Sequence, residues 1–197
     1  MKVDEAVAAL TEGKPVLITD SADVGSAVLA AATASVGWVA WMIQYTSGFL
    51  CAPMPAARAD LLGLPPMVCR NQTSHGNHYT VTVDARDGVT TGISAADRAR
   101  TLRALAAPGT CPADLIRPGH VVPTCVRQDR LPAPLSAEEG AVRLCELAGL
   151  PPIAASAVLL ADDGAILQPI AVKQLADRYD LVVLCLTDVA SQVVAQQ

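Results

Sequence analysis

Residues 75–105 read HGNHYTVTVDARDGVTTGISAADRARTLRAL, and this stretch decides the fold. Within it YTVTVDA (79–85) alternates polar and apolar side chains, the period of a strand with one buried face. Glycine-bearing turns follow, through Gly88 and Gly92. Ser94 then opens a helix over 94–106, with Asp97 three positions on in a variant of the capping box. A strand that turns through Thr90, Thr91 and Gly92 into a capped helix leaves free backbone N–H groups at a helix start, where an anion is favoured. A cap alone explains the same residues.

The flanking sequence extends the pattern. Upstream, the spacing predicts helices over 3–13, 35–46 and 55–63 and strands over 15–20, 26–31 and 49–52. Downstream it predicts a strand at 120–126, placed at an edge or a bulge by Pro123, and a helix over 136–149 with acids in its first turn. Strand 156–161, helix 169–179 and strand 181–186 close the series. No repeat or linker interrupts it, so the expectation is one α/β domain over residues 1–197.

Composition removes several function classes. With 14 Lys and Arg against 19 Asp and Glu, and no basic cluster, nucleic acid is an improbable partner. No charged residue stands between Asp23 and Arg58. Residues 24–43 reach membrane-spanning length, but their apolarity is mostly Ala and Val, broken by Gly25, Ser26, Thr33, Ser35 and Gly37. A buried strand and helix is the better reading, with no membrane partner. The six cysteines show no CxxC spacing, which suits reduced thiols in a cytoplasmic protein.

Several segments together carry a family resemblance: YTSGFLC (45–51), LGLPPM (62–67), the stretch 75–105, RPGHVVP (117–123) and LAGL (147–150). They resemble 3,4-dihydroxy-2-butanone 4-phosphate synthase of riboflavin biosynthesis, in the same order along nearly the whole chain. The resemblance implies mixed β-sheets flanked by helices (α+β type) and a homodimer with its active site near the dimer interface. It implies a small-molecule substrate, ribulose 5-phosphate, converted with Mg²⁺ to dihydroxybutanone phosphate and formate through an enediol and a skeletal rearrangement. By matched motifs, His120, Cys51, Asp97 and Glu139 are the expected catalytic residues. Arg98, Thr91, Ser94, Thr101, His75 and His78 are the expected substrate contacts.

The resemblance also has gaps. The family's acidic loop, close to D-D-E-D-R-E-N-E-G-D, corresponds here to Thr19–Ser26, where only Asp20 and Asp23 are acidic. In the R-x-G-H-T-E-A segment the arginine falls at Pro134, the metal-binding histidine at Ala137 and the threonine at Glu138. Mg²⁺ wants hard oxygen ligands, and a further carboxylate repels a phosphate dianion. The resulting expectation is that metal and cofactor are absent and that the ancestral reaction is lost. A metal-independent lyase, isomerase or cyclase acting on a less anionic molecule, in specialised-metabolite biosynthesis, would replace it. A non-catalytic dimer partner and a retained synthase are the alternatives.

Overall fold

A computed structural model describes residues 2–20, 22, 24–72, 78–126 and 135–194. Eight strands form one mixed sheet. β1 (Val16–Thr19) pairs antiparallel with β2 (Gly25–Ala30) and parallel with β8 (Val182–Cys185). β7 (Ala154–Val158) joins β2 to β3 (Cys51–Pro55), and β3 runs parallel to β6 (Leu115–Val126). β4 (His78–Tyr79) and β5 (Val83–Ala85) both pair antiparallel with β6.

Helices cover both faces because the central strands have no polar face to leave in water. Every residue of β2 and β3 is buried. One core layer gathers Leu17, Leu29, Met54 and Val83 against α2 (Val36–Tyr45), α3 (Ala56–Leu61), α4 (Ala95–Ala106) and α6 (Pro169–Tyr179). The other gathers Val16, Ile18, Val28 and Leu184 against α1 (Lys2–Thr11), α5 (Ala137–Leu147) and α7 (Leu186–Val194). Alternate residues of β1 and β2 thus feed opposite layers, as the two-residue period of a strand requires. At roughly 1.5–3 kcal/mol for each large apolar side chain, this double burial is the main stabilising term. The charge-free segment supplies β2, α2 and β3, and among the described residues no helix is long and apolar enough to cross a membrane.

Three expectations need correction. The strand expected over 79–85 is broken into β4 and β5. Val83 faces Val121, yet Asp84 faces Ile116, so Arg117–His120 bulge from the partner strand. Pro123 sits inside β6, between β3 and β4, and not at an edge; its carbonyl accepts from the Thr80 N–H at 3.0 Å. The chain continues past β8 into α7, which the expected closing strand hid. Leu186 and Val189 of that helix are buried in the second core layer.

Candidate active site

Two clusters of chemistry-bearing side chains lie on this frame. The first lines a cavity of about 620 Å³ at the ends of β1, β3, β6 and β8. Cys51 of β3, Asp20 after β1, and Glu138 and Glu139 of α5 face it, with Phe49 and Tyr79 also in its wall. Trp38 and Trp41 are not in the lining, so they do not fill it. Ser136 caps α5: its Oγ accepts from the Glu139 N–H at 3.1 Å, and Glu139 Oε2 accepts from the Ser136 N–H at 2.8 Å. This reciprocal box fixes the first turn and turns Glu138 against Cys51.

Burial dominates the electrostatics of this pair. The Cys51 thiol is pushed up to about 12 by desolvation, then by the neighbouring Glu138 charge and hydrogen bond. The Glu138 carboxyl is pushed up to about 7, first by desolvation; Cys51 lowers it and the Glu139 charge raises it. Cys51 is therefore a neutral thiol near pH 7 and a hydrogen-bond donor, not a thiolate nucleophile.

The second cluster surrounds β5, the turn before α4, and the bulge of β6. His120 Nδ1 lies 2.8 Å from Asp84 Oδ2, and its backbone N–H donates to Asp84 Oδ1 at 2.9 Å. Asp97 accepts from the Thr90 N–H (3.1 Å), the Thr90 hydroxyl (2.8 Å) and the Gly92 N–H (3.1 Å). The Thr90 hydroxyl first, and the other donors with it, hold the Asp97 carboxyl below the usual range. Thr101 accepts from the Ala85 N–H at 2.9 Å and donates to the Asp97 carbonyl at 3.0 Å, tying α4 to β5. Arg98 is 5% exposed and donates to the Gly48 carbonyl at 2.8 Å, next to Phe49 of the first cluster.

The expected site residues are therefore divided. Cys51 and Glu139 line the cavity; His120, Asp97, Arg98, Thr91, Ser94 and Thr101 do not. Ser94 caps α4, its Oγ accepting from the Asp97 N–H at 3.0 Å, while Thr91 is exposed. His78 is exposed and lines a second cavity of about 530 Å³ beside α3. His75 lies outside the described residues. Sequence reasoning missed Asp84, which reads as an ordinary polar position of an alternating strand. It noticed Glu138 only as a repulsive charge.

A divalent cation needs hard oxygen donors. Among the described residues no three of His, Cys, Asp and Glu stand together as a closed metal cage. Asp20 fits an open site, in which one or two carboxylates are completed by substrate oxygens and water. Its Oδ1 accepts from the Ala22 and Val24 N–H groups, both at 2.9 Å, which fixes the carboxylate in the cavity wall.

Comparisons with known proteins bear on the chemistry. Residues 4–192 match the model of the 3,4-dihydroxy-2-butanone 4-phosphate synthase family. The riboflavin biosynthesis protein RibBA of Salinispora arenicola (strain CNS-205) is 43% identical over 96% of this chain and 46% of its own length. RibBA of Mycobacterium avium (strain 104) is 43% identical over 94% of this chain and 45% of its own. The chain thus spans about half the length of these curated relatives. A solved 3,4-dihydroxy-2-butanone 4-phosphate synthase in complex with two magnesium ions superposes with a TM-score of 0.92 at 32% identity, covering 97% of this chain and 95% of the other. The Candida albicans synthase gives 0.89 at 33% identity, covering 97% and 96%.

These matches overturn two expectations. A repurposed lyase, isomerase or cyclase in specialised metabolism conflicts with relatives of this identity that carry the riboflavin name. The expected absence of metal conflicts with a structural neighbour that holds magnesium.

Proposed function

Because the chain belongs to the 3,4-dihydroxy-2-butanone 4-phosphate synthase family, we propose that it retains that reaction, converting ribulose 5-phosphate to dihydroxybutanone phosphate and formate. The observation that carries this reading is the open cavity of about 620 Å³ in which two matched motif residues, Cys51 and Glu139, meet Asp20. Its size suits a pentose phosphate. In this reading residues 1–197 form one synthase-like domain working in the cytoplasm.

Bound Mg²⁺ would polarise the ketose carbonyl, and Asp20 is the described residue that would help hold it. The remaining work belongs to the chain itself. Cys51 offers an S–H donor on the cavity wall. Glu139 locks the start of α5 so that this wall keeps its shape.

No Lys, Arg or His lines the cavity among the described residues, yet a phosphate dianion needs cationic or N–H partners. Arg98 and His120 of the second cluster lie outside that lining. A homodimer that laid the second cluster of one copy across the cavity of the other would bring the part-exposed His120 to it. Exposed Phe49, Ile93 and Ile116, which flank the two clusters, are the apolar residues such an interface would cover. With Nδ1 held against Asp84, Nε2 is the His120 ring atom left free to meet a substrate.

The test is formate release from ribulose 5-phosphate with and without Mg²⁺, run beside sedimentation to establish the assembly. Magnesium-dependent formate from a dimeric species is the expected result. Absence of formate with Mg²⁺ present overturns the reading, and formate from a monomeric species overturns its dimeric form.

A further inference from the structure

Glu138 is 8% exposed, faces the first cavity, and touches the Cys51 thiol. A carboxylate in the first turn of a helix is normally favoured by free N–H groups. Here two of the nearby donors are committed: the Glu139 N–H to Ser136 Oγ and the Gly140 N–H to the Ser136 carbonyl. The other titratable groups facing this cavity are Cys51 on β3, Tyr79 on β4, Cys125 on β6, Asp20 beyond β1, Cys185 at the end of β8 and Glu139 on α5 itself. β2 and β7 bring the serines Ser26 and Ser156. No described cation offsets Glu138, and its proton is held to about 7. A carboxyl poised near neutrality in a ligand-sized cavity suits general acid–base work.

We propose that Glu138 is the proton-transfer group of the cavity. The proposal rests on the synthase reading above. In the enediol-forming step the Glu138 carboxylate removes the proton from the carbon next to the ketose carbonyl. The electron pair of that C–H bond becomes the C=C bond, and the carbonyl π pair moves onto oxygen, which carries the charge as an enediolate. Glu138 is left as the carboxylic acid and can return its proton to carbon later in the reaction. Cys51 keeps its own proton throughout and donates a hydrogen bond to the carboxylate, so it steadies the base without competing for the proton.

Two measurements on the full chain test this. The first follows deuterium entering ribulose 5-phosphate and its products from D₂O with Mg²⁺, by NMR, for the wild type and Glu138→Gln. The glutamine keeps the shape of the side chain, and ribulose 5-phosphate affinity is measured for both. The second titrates the ¹³C-labelled glutamate carboxyls of the wild type, with the Glu138 resonance assigned by its loss in E138Q. The expected results are an exchange rate at least about 100-fold lower in E138Q at unchanged affinity, and a Glu138 midpoint near neutrality. Wild-type exchange in E138Q, or a midpoint in the ordinary carboxyl range, overturns the proposal. Deuterium exchange without formate would sink the synthase reading and keep Glu138 as the base. Formate release unaffected in E138Q would do the reverse. A wild type that exchanges nothing removes both.

Discussion

His120 and Asp84 are joined twice, imidazole Nδ1 to Oδ2 at 2.8 Å and backbone N–H to Oδ1 at 2.9 Å. The pairing exists because Arg117–His120 bulge from β6 at the point where β5 changes register. One carboxylate therefore fixes both the tautomer of the ring and the backbone beneath it.

Replacing Asp84 with Asn separates these roles. The amide can still accept one bond but no longer enforces an Nδ1–H imidazole. ¹⁵N NMR of His120 is expected to show the tautomers redistributed, and formate release is expected to drop about 100-fold. Unfolding free energy is expected to fall by about 1–3 kcal/mol, because a buried polar pairing is left imperfect.

Gly92 has a φ of +87°, and a Cβ there would collide with Asp84 Oδ2 and His120 Nδ1. Gly92→Ala therefore suffers both a left-handed backbone and displacement of the pair. A loss of more than about 2 kcal/mol in urea unfolding is expected, and the His120 tautomer signal should shift as in the Asp84 variant.

Asp97 organises the turn before α4, and its carboxyl sits below the usual range. The folded state thus binds its proton more weakly than the unfolded chain does. The stabilisation is fully present above the ordinary carboxyl value and is lost as acid carries the pH down through the lower folded value. Thermal unfolding of Asp97→Asn should show a lower Tm at pH 7 and a smaller further drop on acidification than the wild type.

Glu138 has the opposite sign. Its folded value of about 7 lies above the ordinary carboxyl range, so the folded state holds the proton more tightly. Its contribution to stability is complete below the unfolded value of about 4.3 and is lost as pH rises to about 7. E138Q should flatten this slope and be more stable than the wild type at pH 8, by up to roughly 3 kcal/mol. Denaturant unfolding across pH 4–8 measures it.

Local grammar made much of the fold legible. The Ser94 and Ser136 caps, the Gly149 stop and the period of 169–179 each act within a few residues, and each expected helix is present. The break between β4 and β5 was not legible, because its cause lies in Arg117–His120, far along the chain. α7 was masked by the apolar run 181–186, which reads as strand until Leu186 turns into the second core layer. Cys51 and Glu139 could be found through their motifs. The Cys51–Glu138 contact could not, since only the fold brings β3 to the start of α5.

Retention of the synthase reaction is what every prediction about formate depends on. The most direct measurement is a ¹H NMR time course of the purified chain with ribulose 5-phosphate, with Mg²⁺ and then with the metal chelated. One formate per ribulose 5-phosphate consumed, stopped by chelation, is the expected result. Unchanged ribulose 5-phosphate at high enzyme concentration with Mg²⁺ present would contradict it.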